Sequence, residues 1–244
     1  MLLNTSVAPA AVTFRSEITA TLDAETVAGS DAKICKAARV STVGTAAAET
    51  KETRGLINYL MKNKHGSPFE HAQLSFLVEA PIFVAREFMR HRVGWSYNET
   101  SGRYRELEPV FYMPPAHRPL VQVGKAGEYR FEHGTEEQYL SVEHSFGVIY
   151  RAAYSHYQQM LKDGVAREVA RSVLPVGTYT SFYATCNPRS LMHFLGLRTT
   201  SEFATFPSFP QEEIERVAMH MEAAFAEHFP LTWEAFLDNG RVAP

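Results

Sequence analysis

Residues 72–104 read AQLSFLVEAPIFVAREFMRHRVGWSYNETSGRY. Leu74, Phe76 and Val78 alternate with Ser75, Leu77 and Glu79, which predicts a strand over 72–80 with one apolar face. Pro81 suits a first helical position, where its missing N–H costs nothing. The spacing then predicts a helix over IFVAREFMRHR (82–92), with Arg86 and Arg90 four apart on one face. Gly94 is expected to end that helix and leave 95–104 as a polar loop. A strand running straight into a helix and then into turn-forming residues indicates a mixed fold.

The same pattern continues on both sides. VTFRSEITATL (12–22) reads as a half-buried strand. Ser30 is placed to cap a helix over DAKICKAARV (31–40). TRGLINYLMKNK (53–64) reads as a helix, and Gly66 and Pro68 break HGSPFEH (65–71) into a loop. VQVGKAGEYRF (121–131) reads as a hairpin or surface insertion around Gly124 and Gly127. Tyr139, Val142, Phe146, Ile149, Ala153, Tyr157 and Met160 keep helical spacing over 136–162, which Gly164 ends. VAREVARSVL (165–174) is a shorter helix stopped by Pro175. TYTSFYATC (178–186) is a strand, after which Asn187 caps and Pro188 opens a helix through Arg198. A last helix starts near Pro210, with Glu212 and Glu213 in its first turn, and stops at Pro230. The expected class is α+β: an antiparallel sheet packed with several helices in one domain over 1–244, since no linker-like stretch divides it.

The chain has 244 residues, 45% of them hydrophobic and 21% charged, with a formal net charge of −3. That balance argues against a nucleic-acid coat, which is usually strongly basic. Cys35 and Cys186 form no metal or redox pattern, and a reducing cytoplasm fits them. The start, MLLNTSVAPAAVTFR, lacks a charged n-region, so no signal peptide is expected. The apolar run near LSFLVEAPIFVA is interrupted by Glu79 and Pro81 and is too short to span a membrane. Dinucleotide and phosphate-loop glycine motifs are absent, as are metal-ligand spacings, so no metal is expected. Most of the ten histidines, among them His133, His144, His156, His220 and His228, read as surface or packing residues.

What remains is arginine near turns: Arg90, Arg92 and Arg103, then Arg167 with Arg171, then Arg189 with Arg198. Arginine presents a planar fork of donors that matches phosphate and carboxylate. A lone pair such as Arg167 and Arg171 is most often a solvated face. The run 90–104 differs, because a turn adds free backbone N–H groups to its Arg, His, Ser and Asn side chains. A small polyanion such as a nucleotide is the expected ligand. Trp95, Tyr97 and Tyr104 are either stacking groups or core anchors. A nucleic-acid-binding module would use the same residues, but no continuous basic stripe supports it, so neither nucleic acid nor membrane is expected as a partner.

Arg90-His91-Arg92, eight residues and then Ser101 resembles the RHR-x(7–8)-S motif of flavin-dependent thymidylate synthases. LINYLMKNKHGSPFEH, APIFVAREFMRHR, REVARSVLPVGTYTSFY and NPRSLMHFLGLR resemble further blocks of that family, in its order, over most of 30–230. The resemblance implies methylation of dUMP to dTMP, with 5,10-methylenetetrahydrofolate as carbon donor and NADPH as reductant through FAD, in a homotetramer with shared sites. It implies an FAD site of Ser67, Arg90, His91, Arg92, Glu99, Asn187, Pro188, Arg189 and His193. It implies a dUMP site of Glu87, Phe88, Met89, Arg90, Glu99, Thr100, Ser101, Gly102, Arg103, Arg171 and Arg198. His65 matches a histidine near flavin and folate, and Arg198 the arginine that favours ionisation at N3 of the uracil. A flavoprotein oxidoreductase that ignores dUMP would share the cofactor without methylating.

Methylation at C5 needs an electron-rich uracil. Cysteine attack at C6 is one route, but neither cysteine sits beside an activating base. A cation at the pyrimidine edge is another, and Arg198 stays protonated at any relevant pH. Ser101 has no adjacent base in the sequence, so it is expected to bind rather than attack. Three positions depart from the common pattern. The Arg92–Ser101 gap is eight where many members have seven, His193 stands where some have asparagine, and Glu202 stands where many have histidine.

Overall fold

The computed structural model describes residues 8, 10–44, 53–125 and 129–244. In chain order they form β1 (Thr13–Arg15), β2 (Thr19–Leu22), α1 (Asp31–Val43), α2 (Arg54–Lys62), β3 (Leu74–Pro81), α3 (Ile82–Phe88) and β4 (Trp95–Glu99). Then come β5 (Val110–Tyr112), β6 (Val121–Val123), β7 (Arg130–Glu132), α4 (Glu136–Lys162) and α5 (Arg167–Ala170). The chain continues with β8 (Tyr179–Cys186), α6 (Pro188–Arg198), α7 (Glu212–His228) and α8 (Pro230–Asp238). The class is α+β. A four-stranded sheet has the order β2-β3-β8-β4, with β2 antiparallel to β3 and β4 antiparallel to β8. β1 pairs with β5 in parallel, and β6 with β7 as the expected hairpin.

The chain divides into two compact units. One holds residues up to Glu17, Ala80–Phe83 and Thr100–Thr180; the other holds Ile18–Glu79, Val84–Glu99 and Ser181–Pro244. The first has an aromatic core of Phe111, Tyr150, Tyr154 and Tyr157, against which Phe14 and Phe146 pack. All three tyrosines lie on α4, a helix started by a reciprocal Thr135–Gln138 capping box. In the second, Leu74, Phe76 and Val78 are fully buried on one face of β3. The α7 stripe Ile214, Val217, Ala218, Met221 and Phe225, at helical spacing, is also buried, and α7 packs on β2. Phe88 sits among Trp95, Tyr97, Phe182 and Phe194 with ring centroids 4.6–5.9 Å away.

Several sequence expectations are corrected. The strand expected over 12–22 is two strands in different sheets, because β1 pairs with β5 while β2 pairs with β3. Pro81 ends β3 instead of opening the helix. The helix expected through Arg92 stops at Phe88, and residues 95–99 are strand, not loop. The reason lies in Trp95 and Tyr97: their period-two spacing lets both rings pack on Phe88 while β4 takes up ladder bonds with β8. Residues 67–71 form a short 3-10 helix. Ser30 occupies its cap position, yet its side chain makes no capping bond. Pro230 ends one helix and also opens α8, which the sequence reading lacks. Gly127 of the hairpin, and residues 1–7 and Pro9 of the start, lie outside the described residues.

Asp31 secures α8. It is 3% exposed and accepts from Leu231 N at 2.8 Å, Thr232 N at 3.1 Å and Thr232 Oγ1 at 2.6 Å. A side chain from the first turn of α1 thereby satisfies the free N–H groups that open another helix. Asp31→Ala strands those donors in a buried place and is expected to cost about 3 kcal/mol. Urea unfolding checks it, with Asp31→Asn expected to lose less.

Candidate active site

β8 delivers the chain to Asn187, whose Oδ1 accepts from Ser190 N at 2.8 Å and starts α6, with Pro188 at its first position. α6 carries Arg189, His193 and Arg198. Opposite its start, the turn His91–Gly94 leads into β4. Gly94 has φ +70°, the left-handed region that glycine tolerates. Ser190 Oγ donates to Val93 O at 2.9 Å, which fastens the turn to the helix. Between them lies a cavity of about 470 Å3 lined by Glu70, His91, Arg92, Val93, Gly94, Trp95, Asn187, Arg189, Ser190 and His193.

One network borders this cavity. Arg198 Nη1 donates to Glu87 Oε1 at 2.5 Å, and Arg198 Nε donates to His91 Nε2 at 3.1 Å. The arginine and glutamate side chains are only 17% and 23% exposed, so the pair is well shielded from solvent. His91 Nε2 accepts, so its proton resides on Nδ1. Burial first, then Arg198, Arg90 and His193, push the His91 pKa down from 6.5 to about 4. His193 is also lowered, by burial and then by Arg189 and Lys64. Both imidazoles are therefore neutral near pH 7.

This shift has a consequence for stability. With the unfolded value at 6.5 and the folded one at about 4, the unfolded chain binds more protons within that window. Stability is then fully present above pH 6.5 and falls as pH drops towards about 4. His91→Gln is expected to flatten part of that slope. Urea unfolding at steps from pH 4.5 to 7 measures it; equal slopes in the two proteins would refute the assignment.

The other expected residues are placed as follows. His65 is exposed and stacks on Tyr59, with centroids 5.9 Å apart. Ser67 opens the short 3-10 helix. Arg90 and Arg92 are exposed, and their side chains make no hydrogen bond or ion pair among the described residues. Glu87 ends up on Arg198, while the Phe88 ring is spent in the core. Met89 continues the last turn of α3, its N–H donating to Ala85 O at 2.9 Å. Glu99 closes β4, and Thr100 follows it.

Ser101, Gly102, Arg103 and Arg171 belong to the other unit and come together there. Ser101 O accepts from Tyr104 N and Arg105 N, and Ser101 Oγ accepts from Arg103 N at 3.3 Å. Gly102 is buried; a Cβ there would stand 3.1 Å from Arg171 Cδ, so the backbone of the turn runs against Arg171. Arg103 Nε meets Glu168 Oε2 at 3.0 Å, an exposed pair of small energetic weight. No histidine or carboxylate bonds Ser101 among the described residues, so nothing there activates its hydroxyl. Cys35 and Cys186 are both buried, and burial drives the Cys186 thiol well up, away from a thiolate.

Glu70, Val93, Gly94 and Ser190 line the cavity and were missed from sequence, while Trp95, read as a stacking group or a core anchor, both lines the cavity and packs on Phe88. Gly94 and Ser190 act through fit and a backbone contact, which no spacing reveals. Glu70 was legible only as one carboxylate in a polar loop.

The cavity offers guanidinium groups from Arg92 and Arg189, neutral imidazoles, the Asn187 amide and a Trp95 wall. This suits a large, flat, anionic ligand, and the fold and site define an α+β enzyme of nucleotide or flavin chemistry. The model of the family Thy1, thymidylate synthase complementing protein, matches residues 21–231. The flavin-dependent thymidylate synthase of Streptomyces coelicolor is 59% identical over 238 residues, 96% of each chain. That of Tropheryma whipplei is 48% identical over 95% of this chain and 97% of its own. A solved structure of PolB from Streptomyces cacaoi, a UMP/dUMP methylase bound with 5-Br dUMP, superposes with TM-score 0.89 at 50% identity, covering 96% of this chain and all of the other. The chain belongs to the family of flavin-dependent thymidylate synthases. No helix among the described residues is long and apolar enough to cross a membrane.

Proposed function

We propose that this enzyme converts dUMP to dTMP by reductive methylation, with FAD as cofactor, 5,10-methylenetetrahydrofolate as carbon donor and NADPH as reductant, in a cytoplasmic homotetramer whose sites are shared between subunits. The observation that carries the reading is Arg198, locked by Glu87 and His91 beside a cavity lined with hydrogen-bond donors.

The cavity residues fit FAD. Arg92 and Arg189, with Arg90 close in sequence, would supply cationic donors to its pyrophosphate. Asn187, His91 and His193 would supply neutral hydrogen-bonding groups, and Gly94 lets the His91–Gly94 turn approach α6 closely at the cavity wall. When bound, the flavin carries the reducing equivalents that turn a transferred methylene into a methyl group. Glu99, Ser67 and Pro188 complete the assignment, with His65 near the flavin and folate.

The chain's own work is binding and charge. Ser101, Gly102, Arg103 and Arg171 hold the nucleotide phosphate, and Glu87, Met89 and Thr100 help seat dUMP. The Phe88 side chain supports the site from the core. Glu87 and His91 keep the Arg198 guanidinium in one orientation, so it need not reorganise as negative charge develops on the pyrimidine edge. Buried cysteines leave this electrostatic route as the one the residues favour.

The test is a dTMP assay with FAD, dUMP, methylenetetrahydrofolate or NADPH left out in turn. Product is expected only with all four present. NADPH oxidation that ignores dUMP and yields no dTMP would select the plain oxidoreductase. UMP belongs in the same assay, because PolB is a UMP/dUMP methylase.

A further inference from the structure

α8 ends in a paired reversal. Gly240 N donates to Leu237 O at 3.0 Å and Arg241 N to Phe236 O at 2.8 Å, the bond pattern of a Schellman cap. Gly240 has φ +68° and Arg241 has φ +57°, unusual for a long side chain. Two successive left-handed residues turn the chain back, and residues 241–244 then run beside α6.

They touch α6 near both of its ends. At its C-terminal end, Arg241 Nη2 donates to Thr199 Oγ1 at 2.5 Å, next to Arg198. Arg241 is held there by Glu222, at 2.6 and 2.8 Å, with side-chain exposures of 5% and 18%. One turn inside that end, a Cβ on Gly196 would lie 3.0 Å from Arg241 O, so the helix carries glycine where the tail turns onto it. At the N-terminal end, Arg189 Nε donates to Pro244 O at 2.7 Å while its Nη1 pairs with Glu70 at 2.6 Å. Lys64 Nζ donates to Val242 O at 3.2 Å and Ala243 O at 3.4 Å. Lys64 itself has φ +60° and precedes His65. The ten-residue rise from Arg189 to Thr199 is about 15 Å, within reach of four extended residues and two arginine side chains.

We infer that residues Arg241–Pro244 are a positioning strap, which clamps α6 at both ends and so sets Arg189 at the cavity wall and α6's last turn, with Arg198, beside His91. These residues lie beyond the family-matched span. The strap touches no ligand; it acts through Arg189 and Lys64 at one end and Thr199 at the other. Arg189 shows the logic. Two of its donors are used within the chain, which leaves its remaining N–H groups fixed in direction instead of swinging on a flexible stem. A backbone carbonyl can do this only if its segment is anchored, and the buried Arg241–Glu222 pair is the anchor.

The inference rests on the flavin reading, and titration of apoprotein with FAD separates the two. Wild-type protein that binds no FAD would overturn both. If wild type binds, deletion of Val242–Pro244 is expected to raise the FAD Kd roughly tenfold, the scale of one charge-assisted hydrogen bond. In an Arg189→Ala, Lys64→Ala background the same deletion is expected to raise it no further, because both residues that residues 242–244 act through are gone. A loosened fold would instead add to the loss of that double variant, and that result overturns the strap. Gly196→Ala gives a second variant with intact ends. It raises helix propensity, but its Cβ at 3.0 Å from Arg241 O forces the tail to shift by a few tenths of an ångström, so a weaker FAD affinity is expected. Wild-type affinity in Gly196→Ala, or in the deletion, overturns the inference.

Discussion

Arg198→Ala should abolish dTMP formation while the protein still takes up FAD. The side chain is not part of the cavity lining, so the flavin walls survive its removal. What disappears is the one guanidinium that Glu87 and His91 hold at 2.5 and 3.1 Å. Loss of one preorganised donor to developing charge costs roughly 10²–10³ in kcat. Here no thiolate offers a second route, since both cysteines are buried, so the loss should lie at or beyond the upper end. Arg198→Lys is expected to recover little, because an ammonium cannot fork between a carboxyl and an imidazole while facing a ring. Single-turnover dTMP assays on flavin-loaded protein decide it. An Arg198→Ala enzyme that makes dTMP at a near wild-type rate would remove the arginine from catalysis.

The site and the fold were legible in the sequence to different degrees, for physical reasons. α4, α6 and the hairpin follow from local patterns: apolar residues at helical spacing ended by Gly164, the Asn187-Pro188 start, and Gly124 after β6. Their ends were read well because capping is a short-range effect. β4 was misread because its polar residues, Ser96, Asn98 and Glu99, dominate a local reading. Only the distant partners Phe88 and β8 make Trp95 and Tyr97 a strand face. α8 was missed because its start depends on Asp31, about two hundred residues away in the chain. In the site, arginines could be found as charges out of place in an acidic chain. Their partners could not: that Arg198 would choose Glu87 and His91, or that Arg189 would choose Glu70 and Pro244 O, is decided by tertiary structure alone.

Gly94→Ala should cost both stability and flavin affinity, and Gly164→Ala provides its control. Both glycines have positive φ, +70° and +82°. At Gly164 nothing lies within 4 Å of an added Cβ, so only the backbone penalty of about 1–2 kcal/mol applies. At Gly94 the same atom would fall 2.1 Å from Ser190 Oγ and 2.9 Å from Asn187 Nδ2. Ser190 can yield only by giving up its bond to Val93 O, and Asn187 only by loosening the cap of α6. A lost cap costs about 1 kcal/mol, and overpacking typically about 1–3 more. Gly94→Ala is therefore expected to be less stable than Gly164→Ala by at least about 2 kcal/mol in urea unfolding. The two also differ in function. The turn and the cap that Gly94 separates are cavity walls, carrying His91, Arg92 and Asn187. The FAD Kd should rise in Gly94→Ala and stay unchanged in Gly164→Ala. If both variants lose the same stability and keep the same flavin affinity, the close approach of the His91–Gly94 turn to α6 does not shape the site.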